Sequence, residues 1–151
     1  RLRRYLRDRG FGYLQHSVWI TPDPLDAESR ILSGGRIDVG SLLLLEARPC
    51  AGESHAEIVA GAWDFESING RYARHLKVLE ERPEVVLRDE AASKTLRRWA
   101  STEREAWLDA VTSDPLLPAR LLPSGYLGRT AWRRRVEVIR AAGRQLGTFR
   151  P

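Results

Sequence analysis

The sequence predicts an α+β chain with its strands at the front and an all-helical remainder. Three observations carry this. Strand-like apolar runs bounded by turn residues stop before Trp63. From Asp64 onward, apolar residues recur at steps of three and four, the period of a helix with one buried face. Two Leu-Leu-Pro triplets, Leu116–Pro118 and Leu121–Pro123, then break the helical half. Proline stops both helix and ladder hydrogen bonding, so that segment is expected to be an extended strap holding the C-terminal helices together.

Taken in order, Arg1–Arg9 places Leu2, Tyr5 and Leu6 at helical spacing among arginines, and Gly10 is suited to stop that helix. Phe11–Thr21 alternates around Trp19 as a strand or short hairpin, closed by Thr21-Pro22-Asp23-Pro24. Leu25–Leu32 suits a short helix, Ile37–Ala47 a buried strand, and Ile58–Ala62 a further strand. Asp64 precedes a helix with Phe65, Ile68, Tyr72, Leu76 and Leu79 inward, interrupted by Pro83. Ala91–Val111 turns Leu96, Trp99, Trp107 and Val111 inward. Thr102 and Glu105 there have capping-box spacing, which predicts two helices meeting near Ser101. The last helix, Thr130–Leu146, places Trp132, Val136, Ile139, Gly143 and Leu146 on its inner face.

A helix, strand, helix, strand, strand order is most of a ferredoxin-like sandwich whose first strand is missing. The expected organisation is an incomplete ferredoxin-like central domain over 1–55 and a helical C-terminal domain over 56–151. The chain has no Met and opens inside a helix, which reads as the later part of a longer protein.

At 151 residues with 42% hydrophobic and 30% charged content, one or two small packed domains are expected. The longest apolar run, Leu42–Leu45, is far short of the ~20 residues that cross a bilayer, and no secretory leader is visible. Cys50 is the single cysteine, so no internal disulfide can form, and a cytoplasmic location is expected. The net charge of +5 rests on arginine and favours nucleic acid, phosphorylated ligands or acidic partners; GC-rich coding alone also enriches arginine.

The pattern excludes the common catalytic motifs. His16, His55 and His75 are scattered without metal-ligand spacing, and Ser33-Gly34-Gly35-Arg36 lacks the lysine of a phosphate loop. No Gly-x-Ser-x-Gly elbow is present, and Cys50 stands beside a proline. Asp64, Asp89, Asp109 and Asp114 each have a local role as cap or turn former. We therefore expect no enzyme, no metal site and no cofactor. Arg1, Arg3, Arg4 and Arg7 mark one face suited to nucleic-acid phosphates. Arg133, Arg140 and Arg144 line one side of the last helix, with Arg134 and Arg135 nearby. The bland alternative for both is a solvated helix face. Five tryptophans exceed what a chain this size commonly holds, and core packing is their default use.

With these segments placed, the chain resembles the PaaX family of bacterial repressors of phenylacetate-degradation operons. The resemblance lies in Arg1–Ile20, in Ala62-Trp63-Asp64-Phe65 with Tyr72, and in Asp114–Pro118, Leu121–Pro123, Gly128 and Ala131. It implies a winged helix absent from this chain, a central ferredoxin-like domain and a helical C-terminal domain. It also implies a homodimer that binds operator DNA and releases it when an aryl-acyl-CoA, typically phenylacetyl-CoA, is present. Tyr126 stands near Gly128 where the family has a tryptophan before its glycine. On this reading, Arg71, Arg74 and Arg129 would serve the CoA phosphates, and Trp63, Tyr72 and Trp132 would line an aryl pocket. A nuclease or nucleic-acid-processing protein built on the ferredoxin-like half is the alternative.

Overall fold

Leu2, Tyr5 and Leu6 share one face of an arginine-rich segment. In the computed structural model of the chain, which describes residues 1–24, 42–50, 52, 54–84 and 89–148, that segment is helix α1 (Leu2–Arg7). Gly10 follows at φ +80, a left-handed conformation that glycine adopts without a Cβ clash. Strands β1 (Gly12–Gln15) and β2 (Val18–Ile20) form an antiparallel hairpin, with Gly12 opposite Ile20 and Tyr13 opposite Trp19. His16 and Ser17 both take positive φ, as the twist of a two-residue hairpin turn requires. Tyr5, Leu6 and Phe11 are buried together, with Leu2 and Trp19 against them.

Two front-half expectations are corrected. Ile58–Ala62 is not a strand but the end of helix α2 (His55–Ala62). The reason is a capping box. Ser54 Oγ accepts from the Glu57 backbone N–H at 3.2 Å, and the Ser54 N–H donates to Glu57 Oε2 at 2.9 Å. Those two bonds begin a helix that an apolar run of five residues could not redirect into a sheet. The second correction concerns Leu42–Ala47, which pair with no strand among the described residues. Leu43 and Leu45 are exposed there. The rest of that expected strand, 37–41, and the expected helix over 25–32 lie outside the described residues. Among the described residues the sheet has two strands, so the architecture is α+β and mostly helical.

The chain divides into two compact units. The first joins Arg1–Asp64 with Pro115–Ser124, the second Phe65–Asp114 with Gly125–Pro151. The Leu-Leu-Pro strap therefore groups with the front of the chain, its 3-10 turn Ala119–Leu121 lying against α2. Of its leucines only Leu117 is fully buried. Leu116, at φ +52, turns outward and is 67% exposed.

The second unit is a layer of three helices. Helix α3 (Phe65–Glu80) packs against both α4 (Glu90–Val111) and α5 (Gly128–Thr148). Its core joins Leu79 of α3, Leu96 and Trp99 of α4, and Val138 and Ala142 of α5. Burial of each large side chain contributes roughly 1.5–3 kcal/mol. Helix α4 runs unbroken through Ser101. Thr102 Oγ1 donates back to the Arg98 carbonyl at 3.3 Å instead of capping a new helix, while Asp89 caps α4 by accepting from the Ala92 N–H at 2.8 Å. The inner face of α5 is also turned by one residue from expectation, about 100°. Ala131, Val138 and Ala142 are buried, whereas Trp132 is 55% exposed. Among the described residues no helix is long and apolar enough to cross a membrane.

Replacing the α2 cap tests the correction directly. Ser54→Ala is expected to cost about 1 kcal/mol in helix stability, read as faster amide hydrogen exchange at Val59–Ala62 than in the parent.

Candidate functional site

Each helix of the second unit carries an ionisable residue inside its apolar stripe. On α3, His75 follows Phe65, Ile68 and Tyr72 at helical spacing; on α4, Glu103 follows Leu96 and Trp99; on α5, Arg135 lies between Ala131 and Val138. These three residues meet. His75 Nε2 lies 2.8 Å from Glu103 Oε1, and Arg135 donates from Nε to the same oxygen at 2.7 Å and from Nη2 to Oε2 at 3.3 Å. His75 and Glu103 are 0% and 1% exposed, so both are removed from water. His75 Nδ1 has no hydrogen-bond partner. The tautomer that satisfies the geometry carries its proton on Nε2 and donates it to the carboxylate, leaving a bare acceptor and not a bare donor. Removing one member of such a buried charged cluster characteristically costs about 3–5 kcal/mol, because the remaining groups lose their compensation.

Trp107 of α4 gathers the aromatic residues around this cluster. Its ring lies 5.2 Å from His75, 6.1 Å from Tyr72 and 5.6 Å from Trp132, and the Arg135 guanidinium sits 5.0 Å over it. A second buried carboxylate lies at the far end of α4. Asp114 accepts from the Tyr72 hydroxyl at 2.6 Å and from the Tyr126 hydroxyl on the same oxygen. Tyr126 can fold over to reach it because position 128 is glycine; a Cβ there would collide with the tyrosine ring. Burial pushes the Tyr126 phenol up to about 12, and the Asp114 carboxylate adds to the rise. The same two causes raise Tyr72.

The residues singled out from the sequence fall into three places. Arg71 and Arg74 of α3 both pair with Asp109 of α4, Arg74 at 3.1 Å and Arg71 more closely. Tyr72 is buried with its hydroxyl committed to Asp114, and Trp132 is half-exposed against Trp107. Arg129 stands exposed at the start of α5 and acts electrostatically on Tyr126. Trp63 belongs to the first unit, where its indole donates to the Gly10 carbonyl at 3.2 Å. Arg1, Arg3, Arg4 and Arg7 are exposed on and beside α1, with Arg4 3.9 Å from Asp8.

Residues 1–59 match the model of the PaaX protein central Cas2-like domain. Over this span the chain is similar to that PaaX domain. The matched residues cover α1, the β-hairpin and the first half of α2, so the three-helix unit lies beyond them. The likeness to a PaaX domain supports a part in transcription regulation. No curated protein and no solved structure matches the chain.

Several residues that build the site were not singled out for a site in the sequence. Glu103 and Arg135 stand on apolar stripes, and a charged residue at such a position is the signal that finds them. Asp109 and Asp114 are not merely local turn formers, since each binds two side chains more than ten positions away or from another helix. Trp107 reads as core, and its central place among four side chains is a tertiary fact. Among the described residues, no three or more His, Cys, Asp or Glu side chains come together as a metal site.

The paired tyrosines make stability pH-dependent on the alkaline side. A phenol raised in the folded state above its ordinary value of 10.0 stabilises fully below about pH 10, and that contribution is lost as pH rises through about 12. Phenolate absorbance is expected to show two of the four tyrosines titrating late, and Asp114→Asn is expected to bring both forward.

Proposed function

We propose that this chain is the dimerisation and effector-sensing portion of a transcriptional repressor controlling an aromatic-acid catabolic operon. The whole protein acts as a homodimer and reads operator DNA through a winged helix outside these residues. Its central part is a ferredoxin-like domain, and the protein works in the cytoplasm without a cofactor. The observation that carries the effector reading is the half-exposed aromatic face of the three-helix unit, Trp132 against Trp107, with arginines on the adjoining helices. Aromatic rings of this kind suit an aryl group, and guanidinium groups bind CoA phosphates bidentately.

The ligand would be an aryl-acyl-CoA. Arg71, Arg74 and Arg129 serve its phosphates, and Trp132 and Tyr72 the acyl group. Tyr72 acts by holding Asp114 and packing on Trp107 and not by offering its hydroxyl, which is already bonded. Asp109 occupies Arg71 and Arg74 in the absence of ligand, so a phosphate has to displace a carboxylate. That pair is well exposed, and such pairs are worth about 0–1 kcal/mol, a cost a charged ligand can overcome. The ligand then favours one of two conformations and shifts the equilibrium of the DNA-binding heads. Arg1, Arg3, Arg4 and Arg7 on α1 add phosphate contacts to nucleic acid.

Calorimetry of the full-length protein with phenylacetyl-CoA tests this. Binding with a dissociation constant below about 50 micromolar, near −6 kcal/mol, is expected. Asp109→Asn is expected to tighten it several-fold, and Arg71→Ala with Arg74→Ala to weaken it. An absence of binding at that concentration sinks the effector reading.

A further inference from the structure

Helix α5 carries six arginines against one glutamate. Arg135 pairs with buried Glu103, and Arg134 with Glu137 at 3.4 Å. Arg129, Arg133, Arg140 and Arg144 are all exposed and follow one another at steps of four, seven and four. At 3.6 residues per turn they fall within an arc of about 60°, on the side away from Ala131, Val138 and Ala142. At 1.5 Å per residue the row is about 22 Å long. Arg129, Arg133 and Arg140 have no carboxylate partner among the described residues.

We propose that this arginine row on α5 is a second nucleic-acid surface, binding the phosphate backbone of duplex DNA without reading its sequence. The partner follows from the chemistry of the row. A straight, rigid line of guanidinium groups offers bidentate donors to successive phosphates, and each contact releases a counterion. A membrane surface fits less well, because an interfacial helix needs its apolar face outward, and that face of α5 is buried against α3. A protein partner would need a desolvated aromatic or aliphatic centre, and this row has none along its length. Single strands require stacking rings between the cations, and Trp132 stands only at one end. The surface deepens the DNA-binding part of the reading above, and its test rests on Arg133 and Arg140, which have no part in the effector site.

The experiment uses this 151-residue chain and a fluorescent duplex of arbitrary sequence, with anisotropy read across salt. Four phosphate contacts predict a log–log slope of about −3 to −4, a loss of roughly a hundredfold between about 50 and 200 mM salt. Arg133→Ala with Arg140→Ala is expected to reduce the slope by about two while helicity stays at the parental value. The same reduction is expected in a chain already carrying Arg3→Ala and Arg7→Ala, which separates α5 from α1. An unchanged slope on losing Arg133 and Arg140 overturns the proposal, as does an absence of duplex binding by the parent. Tighter binding to phosphatidylserine-containing vesicles than to duplex also overturns it. Failure in any of these ways leaves phenylacetyl-CoA binding unaffected, so the two readings fail separately.

Discussion

Glu103 sits at 1% exposure between two cationic or proton-donating neighbours, and the arrangement of the three-helix unit follows from how that carboxylate is satisfied. Moving a carboxylate out of water costs several kcal/mol even after relaxation, and only good geometry with additional hydrogen bonds offsets it. Glu103 obtains this from both sides: His75 on α3 and a two-pronged Arg135 on α5. Because α3 contributes one ligand and α5 another, satisfying the charge fixes the rotation of both helices about α4. An apolar stripe alone tolerates small rotations; a buried ion does not.

The consequences reach the exposed aromatic face. Bringing Arg135 inward turns α5 so that Ala131, Val138 and Ala142 meet the core and Trp132 moves to its edge. There Trp132 meets Trp107, which also stacks on His75 and lies beneath Arg135. The same rotation carries Arg129, Arg133, Arg140 and Arg144 to the far side as a continuous row. One buried carboxylate thus sets both the half-exposed aromatic face and the cationic row.

The sequence was legible where one rule acted alone. Leu2, Tyr5 and Leu6, the hairpin around Trp19, and the Phe65–Leu79 stripe all follow from periodicity, and the structure keeps them. Reading failed where a polar contact competed with the apolar pattern. Ile58–Ala62 looks like a strand until Ser54 and Glu57 are seen as a capping box three residues apart. Trp132 attracts the inner face of the last helix by size, yet Arg135 takes it because Glu103 lies opposite. Thr102 suggests a helix start, but a buried face that continues from Leu96 through Glu103 to Ala110 is stronger than one hydroxyl. Of the candidate site, Arg71, Arg74, Tyr72 and Trp132 could be named from chemistry. Their partners Asp109, Asp114 and Trp107 could not, because partners separated by dozens of residues have no local signature.

The likeness to a PaaX domain lies in the front of the chain, whereas the aromatic face and the arginine row lie on the helical unit, and Glu103 is what organises that unit. Urea unfolding of Glu103→Ala beside Asp109→Ala tests this most directly. The buried site is predicted to lose about 3 kcal/mol or more, and the exposed pair less than about 1 kcal/mol. Equal, small losses at both positions would contradict the account, since Glu103 would then be one surface-strength ion pair among several and not the residue that sets the helices.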